Sequence, residues 1–255
     1  MTTVAPVRLT EIRRPVLDRD VAMRLAATEY ERFAAQLRTL SPEDWNRPTA
    51  CSEWDVRAMV AHVIGMAEMS ASPVEAVKQM KAARKTDGMV INALTDLQMR
   101  KHVHRSPADL VTLAETVGPK AAKGRRRTPG FVRGRTMPEQ PIEPTGQITE
   151  RWTLGYLVDV ILTRDTWMHR SDIALAVGRD MQLTADHDAV LVADVAAEWA
   201  QRHGQPCSLT LTGPAGGTWT WGAGGPSYEL DAVEFCRILS GRGTGEGLIA
   251  TPVPF

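Results

Sequence analysis

The 255-residue sequence contains little cysteine and no excess of either charge. Its cysteines, Cys51, Cys207 and Cys236, are far apart and form no C-x-x-C pair. This argues against a disulfide framework and against a cysteine-rich zinc site. Lys plus Arg number 30 and Asp plus Glu number 30, whereas nucleic-acid-binding proteins usually carry a basic excess. We therefore expect no nucleic-acid partner.

Long apolar runs are also missing, since no stretch approaches the roughly 20 residues that a membrane-spanning helix needs. The most apolar segment, residues 154–162, is interrupted by Asp159. Residues 1–20 lack the apolar centre of a secretory signal. We expect a soluble cytoplasmic protein, a monomer or a homodimer, with no membrane partner.

Apolar residues recur at the helical period through the first two-thirds of the chain. The pattern predicts helices over 20–40, from about Trp54, over 89–104, from Ser106, and over 148–177. For the second helix, Ser52 and Asp55 form an S-x-x-D capping pattern. Residues 119–147 contain five prolines and four glycines, which predicts a long loop.

After residue 178 the pattern changes to shorter elements. A helix is predicted over 184–203, followed by a hairpin built from SLTLTG and GTWTWG, a helix over 231–239 and a last strand over 248–253. We therefore predict an α+β protein with a helical domain over 1–178 and a small α+β domain over 179–255.

Two polar residues interrupt the apolar face of the predicted helix 148–177. Asp165 and His169 are four residues apart, so their side chains lie one above the other at the centre of that face. A carboxylate buried there is costly unless it is paired or bound to a metal. The pattern fits a D-x-x-x-H metal clamp, and it equally fits a buried ion pair or a face that opens to water.

A third ligand could come from His62, at the edge of the apolar stripe of the second helix. A single histidine in that position is more often a hydrogen-bonded core residue. Two histidines and one carboxylate from packed helices would suit zinc with one open position, and nickel, iron or manganese could occupy the same site. Asp172, one turn after His169, could orient that ring, or it could pair with a neighbouring arginine. His102 and His104 lie among basic residues, which predicts a solvated helix end.

Seven basic residues occur in the predicted loop 119–147. They could form a lid that attracts an anionic substrate, or a solvated flexible segment. The basic residues are Lys120, Lys123, Arg125, Arg126, Arg127, Arg133 and Arg135.

Two segments resemble the mycothiol-dependent maleylpyruvate isomerase family, a branch of the DinB-like four-helix proteins. The first is LSPEDWNRPTACSEWDVRAMVAHVIG, with Trp45, Pro48-Thr49, Cys51, Trp54 and His62 at matching places. The second is RDTWMHRSDIALAVGR, with Asp165, His169 and Asp172-Ile173. The resemblance implies a DinB-like bundle and selects His62, Asp165 and His169 as metal ligands. Many relatives carry Glu where this chain has Asp165.

The C-terminal third resembles the small second domain of the same family. The matching segments are LTLTGPAGGTWTWG, LSGRGTGEGL and the terminal PVPF. In relatives an arginine in the Gly-Arg step faces the active site. By resemblance that catalytic position is Arg242.

The resemblance implies a metal-dependent enzyme with mycothiol as thiol cosubstrate. A metal-bound thiolate would add to a small electrophilic or anionic substrate and give an isomer or a thioether. Two alternatives remain open, a metal-dependent hydrolase that uses water and a non-catalytic protein that binds metal and thiol.

Overall fold

The computed structural model describes residues 7–51, 53–86, 89–143 and 145–255. Their helices and strands are, in chain order, β1 (Val7–Arg13), α1 (Arg19–Leu37), α2 (Val56–Ala71), α3 (Pro73–Ala83), α4 (Val90–His102), α5 (Pro107–Arg127), α6 (Gly130–Arg133), β2 (Thr136–Pro141), β3 (Ile148–Thr153), α7 (Leu154–Tyr156), α8 (Leu162–Val177), α9 (Val190–His203), β4 (Cys207–Thr212), β5 (Gly217–Trp221), β6 (Ser227–Asp231) and α10 (Ala232–Leu239). The predicted α+β class is confirmed. Within these ranges, every helix is too short or too polar to cross a bilayer.

Backbone contacts divide the chain into two compact units. The helical unit consists of Arg19–Pro129 and Asp165–Met181, and the mixed unit consists of the residues up to Asp18, Gly130–Arg164 and Gln182–Phe255. This grouping differs from the predicted domain boundary at residue 178, because it places 130–164 with the C-terminal segment. Where the chain separates into independently folding domains stays a prediction.

The core of the helical unit is built by helices α1, α2, α5 and α8. Its buried side chains include Phe33 and Leu37 from α1, Val60 from α2, Leu110 from α5 and Ile173 from α8. Each of these residues belongs to a stripe of apolar side chains along its helix. Packing the stripes against one another removes their apolar surface from water, which stabilises the bundle. Helices α2 and α5 approach closely where a Cβ on Gly124 would lie 1.9 Å from the backbone oxygen of Ser70. A larger residue at Gly124 would therefore push these helices apart.

The predicted loop over 119–147 is wrong. Helix α5 continues through Pro119 to Arg127, and α6 and β2 follow it. A proline inside a helix removes one backbone hydrogen bond. Here the apolar side of α5, with Leu110 and Ala121, is buried in the bundle, and that packing outweighs the local cost.

The basic residues of that segment consequently lie mostly on a helix. Lys120 to Arg127 belong to α5, and Arg133 ends α6. Arg125 is buried, with its guanidinium carbon 5.8 Å from the ring centroid of Tyr30. It therefore contributes to packing within the unit.

Two other predictions about secondary structure need correction. The fourth predicted helix does not start at Ile148, because Ile148–Thr153 is strand β3 and the helix begins at Leu154. Thr153 caps it by accepting a hydrogen bond from the Tyr156 N–H. A π-helical turn at Leu157–Ile161 separates α7 from α8, which ends before Gly178 in the left-handed conformation. The predicted last strand is a 3-10 turn at Gly247–Ala250.

The sheets of the mixed unit contain three strands each, in the orders β1-β3-β2 and β5-β4-β6. The predicted hairpin is confirmed, since β4 and β5 pair antiparallel from Cys207 opposite Trp221 to Leu211 opposite Gly217. Strand β6 joins the other edge of β4 in parallel. The sequence pattern predicted neither β6 nor the first sheet.

A buried ionic network crosses the interior of the mixed unit. The Glu198 carboxylate accepts from the Tyr156 hydroxyl at 2.7 Å, from Arg164 at 2.8 Å and from Arg202 at 2.6 Å. Arg202 also donates to Glu150 at 2.7 Å. Burial opposes ionisation of Glu198, but the Arg164 and Arg202 guanidinium groups lower its pKa to about 2.

We expect Glu198→Gln to lower the free energy of unfolding by about 3 kcal/mol at pH 7, because it removes the carboxylate that Arg164 and Arg202 share. Each buried guanidinium then keeps one charged partner, Asp194 for Arg164 and Glu150 for Arg202. Urea unfolding followed by circular dichroism measures this. The pKa of Glu198 is about 2 in the folded protein and 4.5 ordinarily. The stabilisation by the ionised Glu198 is therefore complete above pH 4.5 and is lost as the pH falls toward 2. The difference between wild type and variant should narrow over the same interval.

A matched control is Glu234→Gln, which removes a half-exposed carboxylate 3.6 Å from Arg237 in the same unit. Exposed pairs contribute roughly 0–1 kcal/mol, so this variant should unfold almost like wild type. Equal losses in the two variants would contradict the assigned role of the Glu198 network.

Candidate metal centre

Helices α2 and α8 bring His62, Asp165 and His169 together inside the helical unit. The Oδ1 atom of Asp165 lies 3.4 Å from His169 Nε2 and 3.8 Å from His62 Nε2. One ligand atom from each residue lies within 4.8 Å of the other two. The two imidazole rings are perpendicular, with centroids 5.3 Å apart. Two nitrogen donors and one oxygen donor thus lie close together.

The local sequence explains how α2 presents its histidine. Asp55 caps this helix by accepting a hydrogen bond from the Ala58 N–H at 2.8 Å. Ser52, the other residue of the predicted capping pattern, lies outside the described residues. The apolar residues on both sides of His62, such as Met59 and Val63, are buried in the bundle, so the imidazole is carried inward with them.

On α8 the spacing of four residues aligns Asp165 with His169. Ile173, four residues further on, belongs to the core of the bundle. The three residues therefore follow one stripe along the helix, with the polar pair at one end and the apolar anchor at the other. Burial of Ile173 sets the rotation of α8 about its axis and turns Asp165 and His169 toward α2.

Each histidine uses its Nδ1 atom for a buried partner. His62 Nδ1 lies 2.9 Å from Gln98 Oε1, and His169 Nδ1 lies 3.3 Å from Asp172 Oδ2. Gln98 and Asp172 are both completely buried. With Nδ1 engaged in this way, the Nε2 atom of each ring is the one turned toward Asp165.

Asp165 is the most exposed of the three residues. Its side chain retains about one-fifth of its accessible surface, whereas the two histidines are buried. Burial opposes ionisation of the carboxyl, but His169 and His62 beside it hold the pKa of Asp165 well below its ordinary value. The carboxylate is therefore ionised at neutral pH and forms the open side of the cluster.

Trp54 covers the two imidazoles from one side. Its ring centroid lies 5.3 Å from that of His62 and 5.8 Å from that of His169. The turn before α2 holds it, since the Trp54 N–H donates to the Cys51 carbonyl and the Thr49 hydroxyl donates to the Trp54 carbonyl. The half-buried indole forms an apolar wall against the two imidazole rings.

The geometry favours a metal site over a simple ion pair. At 3.4 and 3.8 Å, the Nε2–Oδ1 separations are too long for good hydrogen bonds. Donor atoms about 2.1 Å from a tetrahedral ion are roughly 3.4 Å apart. The donor set is also the imidazole and carboxylate combination that zinc and related divalent ions accept. The residues therefore fit the group that the sequence pattern suggested.

Arg242, the predicted catalytic residue, belongs to the mixed unit. It follows α10, and its backbone N–H donates to the Arg237 carbonyl at 2.8 Å. Its side chain is half-buried. A role of Arg242 toward substrate stays a prediction.

The prediction that His102 lies at a solvated helix end is wrong. His102 is buried, with its Nε2 atom 3.0 Å from Glu68 Oε2, and its Nδ1 atom accepts from Arg105 at 3.1 Å. His104, two residues later, is exposed as expected. The partner of His102, Glu68, lies on α2, so it can be identified only from the packing of α4 against α2.

Sequence reasoning also missed Gln98 as part of this centre. One signal was present, because Gln98 follows the buried Leu94 by four residues on α4 and thus occupies the buried face of that helix. A polar side chain on a buried face needs a partner, but helical spacing alone does not say which one.

The sequence and the fold both match one group of proteins. The family described as "Mycothiol maleylpyruvate isomerase N-terminal domain" matches residues 26–174, which include the three clustered residues and Asp172 but not Arg242. No curated protein sequence matches significantly.

Two crystal structures share the fold. One is of a histidine-to-alanine mutant of the mycothiol-dependent maleylpyruvate isomerase, at 17% identity and a TM-score of 0.55, covering 94% of this chain and 97% of that one. The other is titled as the mycothiol-dependent maleylpyruvate isomerase, with the same identity and TM-score and coverage of 93% and 92%. The family match spans more than half of the sequence and confirms the resemblance seen in its motifs. The chain belongs to the mycothiol maleylpyruvate isomerase family.

Proposed function

We propose that this protein is a metal- and mycothiol-dependent enzyme that isomerises, or transfers a thiol to, a small electrophilic substrate. The observation that carries the proposal is the spacing of His62 Nε2, His169 Nε2 and Asp165 Oδ1 around one point. Zinc is the first choice of ion, with nickel, iron and manganese as alternatives. The family match supports mycothiol as the thiol.

The three residues would hold the ion by two neutral imidazoles and one carboxylate. This donor set leaves one positive charge on a divalent ion, which favours an anionic fourth ligand. When bound, the ion lowers the pKa of a thiol and so supplies a thiolate nucleophile near neutral pH. Asp172 and Gln98 orient the imidazoles, and Trp54 excludes water from one side of the cluster.

The reaction class follows from the chemistry of a thiol and an activated double bond. Addition of the thiol sulfur and a proton across a C=C bond leaves a C–C single bond that can rotate. Elimination of the same thiol then returns the double bond in the other geometry, whereas retention of the thiol gives a thioether. The substrate named by the solved relatives, maleylpyruvate, is the first compound to test. Arg242 is proposed to bind a substrate carboxylate.

The metal centre predicts stoichiometric binding that depends on each donor. Untagged wild type, loaded with zinc and dialysed, should retain one ion per chain by elemental analysis. His62→Ala, His169→Ala and Asp165→Ala should each reduce the retained metal to a small fraction, because two donors remain where three are needed. His104→Ala, which removes an exposed histidine, serves as the control and should retain the ion. Equal metal content in wild type and His169→Ala would disprove the site.

Thiol dependence separates the proposal from a hydrolase and from a binding protein. Zinc-loaded protein should convert maleylpyruvate only when mycothiol is present. Removal of the metal with a chelator should abolish turnover, and adding zinc back should restore it. The readout is the loss of substrate and the appearance of its isomer or thioether. Turnover without thiol would indicate hydrolysis, and binding of metal and thiol without turnover of maleylpyruvate or related electrophiles would indicate a binding protein. Either result would overturn the proposed reaction.

A further inference from the structure

A chain of buried amide side chains runs from the metal centre into helices α4 and α3. It starts at His62, continues through Gln98 and ends at Gln79. Both glutamines are almost completely buried, and neither contributes a metal donor. Because an amide has a donor end and an acceptor end, the hydrogen bonds along such a chain have a direction.

The direction is set at the far end, by Gln79. Its Nε2 group lies 3.3 Å from the Gly65 carbonyl oxygen and 3.0 Å from Glu75 Oε1. Lys101 Nζ lies 2.5 Å from the same Glu75 atom, and this contact lowers the pKa of the Glu75 carboxyl. A carbonyl oxygen and an ionised carboxylate only accept hydrogen bonds, so the NH2 group of Gln79 must face them.

The orientation of Gln98 follows. With its NH2 group engaged, Gln79 presents Oε1, and this oxygen lies 3.1 Å from Gln98 Nε2. The sulfur atoms of Met66 and Met69 lie 3.2 and 3.3 Å from the same nitrogen, and a thioether carries no donor hydrogen. Three acceptors therefore surround the NH2 group of Gln98, which leaves its Oε1 atom facing His62.

We propose that Gln79 and Gln98 are positioning residues that hold the neutral His62 ring in the tautomer with hydrogen on Nδ1. Gln98 Oε1 can only accept, so the 2.9 Å contact requires His62 Nδ1 to donate. The Nε2 atom of the neutral ring then has a free lone pair, which is the form that binds a metal ion. The consequence for metal affinity rests on the proposed function, but the tautomer itself does not.

Gly65 makes this arrangement possible by leaving space for Gln98. A Cβ atom at position 65 would lie 2.6 Å from both Cβ and Cγ of Gln98. Real Cβ atoms do not approach so closely, so an alanine would move Gln98 away from His62. The same glycine provides the carbonyl that orients Gln79. Gly65 thus provides both the space for Gln98 and an acceptor that orients the amide of Gln79.

His169 obtains the same tautomer by a different route. Its Nδ1 atom faces the Asp172 carboxylate, which accepts whatever its rotation. An amide could present either end to its histidine, so Gln98 needs an orienting neighbour and Asp172 does not. This difference explains why a chain of two glutamines lies behind His62 and a single aspartate lies behind His169.

The decisive experiment measures the tautomer in metal-free protein. Long-range 1H–15N correlation spectra of 15N-histidine-labelled full-length chain at pH 8, above the ordinary histidine pKa of about 6.5, distinguish protonated from unprotonated ring nitrogens. We expect His62 to show a protonated Nδ1 and an unprotonated Nε2, with its signals assigned by comparison with His62→Ala. A protonated His62 Nε2 in the neutral ring of the wild-type protein would by itself overturn the proposal.

Gln79→Leu tests the relay without altering any atom in contact with His62. We expect a mixture of tautomers at His62 and zinc affinity about 10- to 100-fold weaker by competition titration, the usual range for outer partners of a ligand. His169 should keep its tautomer. Gln36→Leu is the control, since Gln36 donates to the Arg170 carbonyl in the same unit and should change neither readout. An unchanged His62 tautomer in folded Gln79→Leu would contradict the relay.

These readouts separate the inference from the proposed function. Absence of zinc binding in wild type would overturn the function, and the tautomer of His62 would still decide whether the relay exists. Zinc binding by a wild type whose His62 carries hydrogen on Nε2 when metal-free would leave the function standing and refute the relay.

Discussion

The Asp165 carboxylate is the group around which the candidate metal centre is organised. It lies on a helix face whose other members are buried, and an ionised group there must be compensated. The compensation comes from two imidazoles on different helices, at distances that suit a shared ion better than direct hydrogen bonds. Packing of α8 by residues such as Ile173 therefore has a chemical consequence, since it determines where a negative charge meets two nitrogen donors.

Buried polar side chains contact the Nδ1 atoms of His62 and His169, on the side of each ring away from Asp165. The His62 side leads through two glutamines to Glu75 and Lys101, and the His169 side ends at Asp172. The buried amides of Gln79 and Gln98 are tolerated because each has hydrogen-bond partners, and partners of fixed direction restrict the protonation pattern at the centre. The mixed unit shows the same principle in another form, since its buried guanidinium groups are matched by Glu198 and Glu150. There the charges are paired with one another, whereas the Asp165 carboxylate keeps about one-fifth of its surface exposed to solvent.

The wrong predictions about secondary structure and about His102 have a common physical origin. Pro119 and the glycines around it favour a loop locally, yet α5 continues because its apolar side is buried by other helices. Ile148–Thr153 forms a strand because it is hydrogen-bonded to β1 on one side and to β2 on the other. The sequence of the segment itself does not indicate these partners. His102 is polar among basic residues, but its acceptor Glu68 lies on another helix. In each case a contact distant in sequence outweighs the local preference.

The residue pattern alone predicts the helical periodicity, the hairpin of β4 and β5, the stacking of Asp165 on His169 and, through its motifs, membership of the family. These follow from spacing along one element or from short patterns of residues. Packing between helices was needed to show which nitrogen of each histidine faces Asp165, and that Gln98 is the partner of His62. Those features depend on the direction of hydrogen bonds between helices, which no periodicity within a single helix encodes.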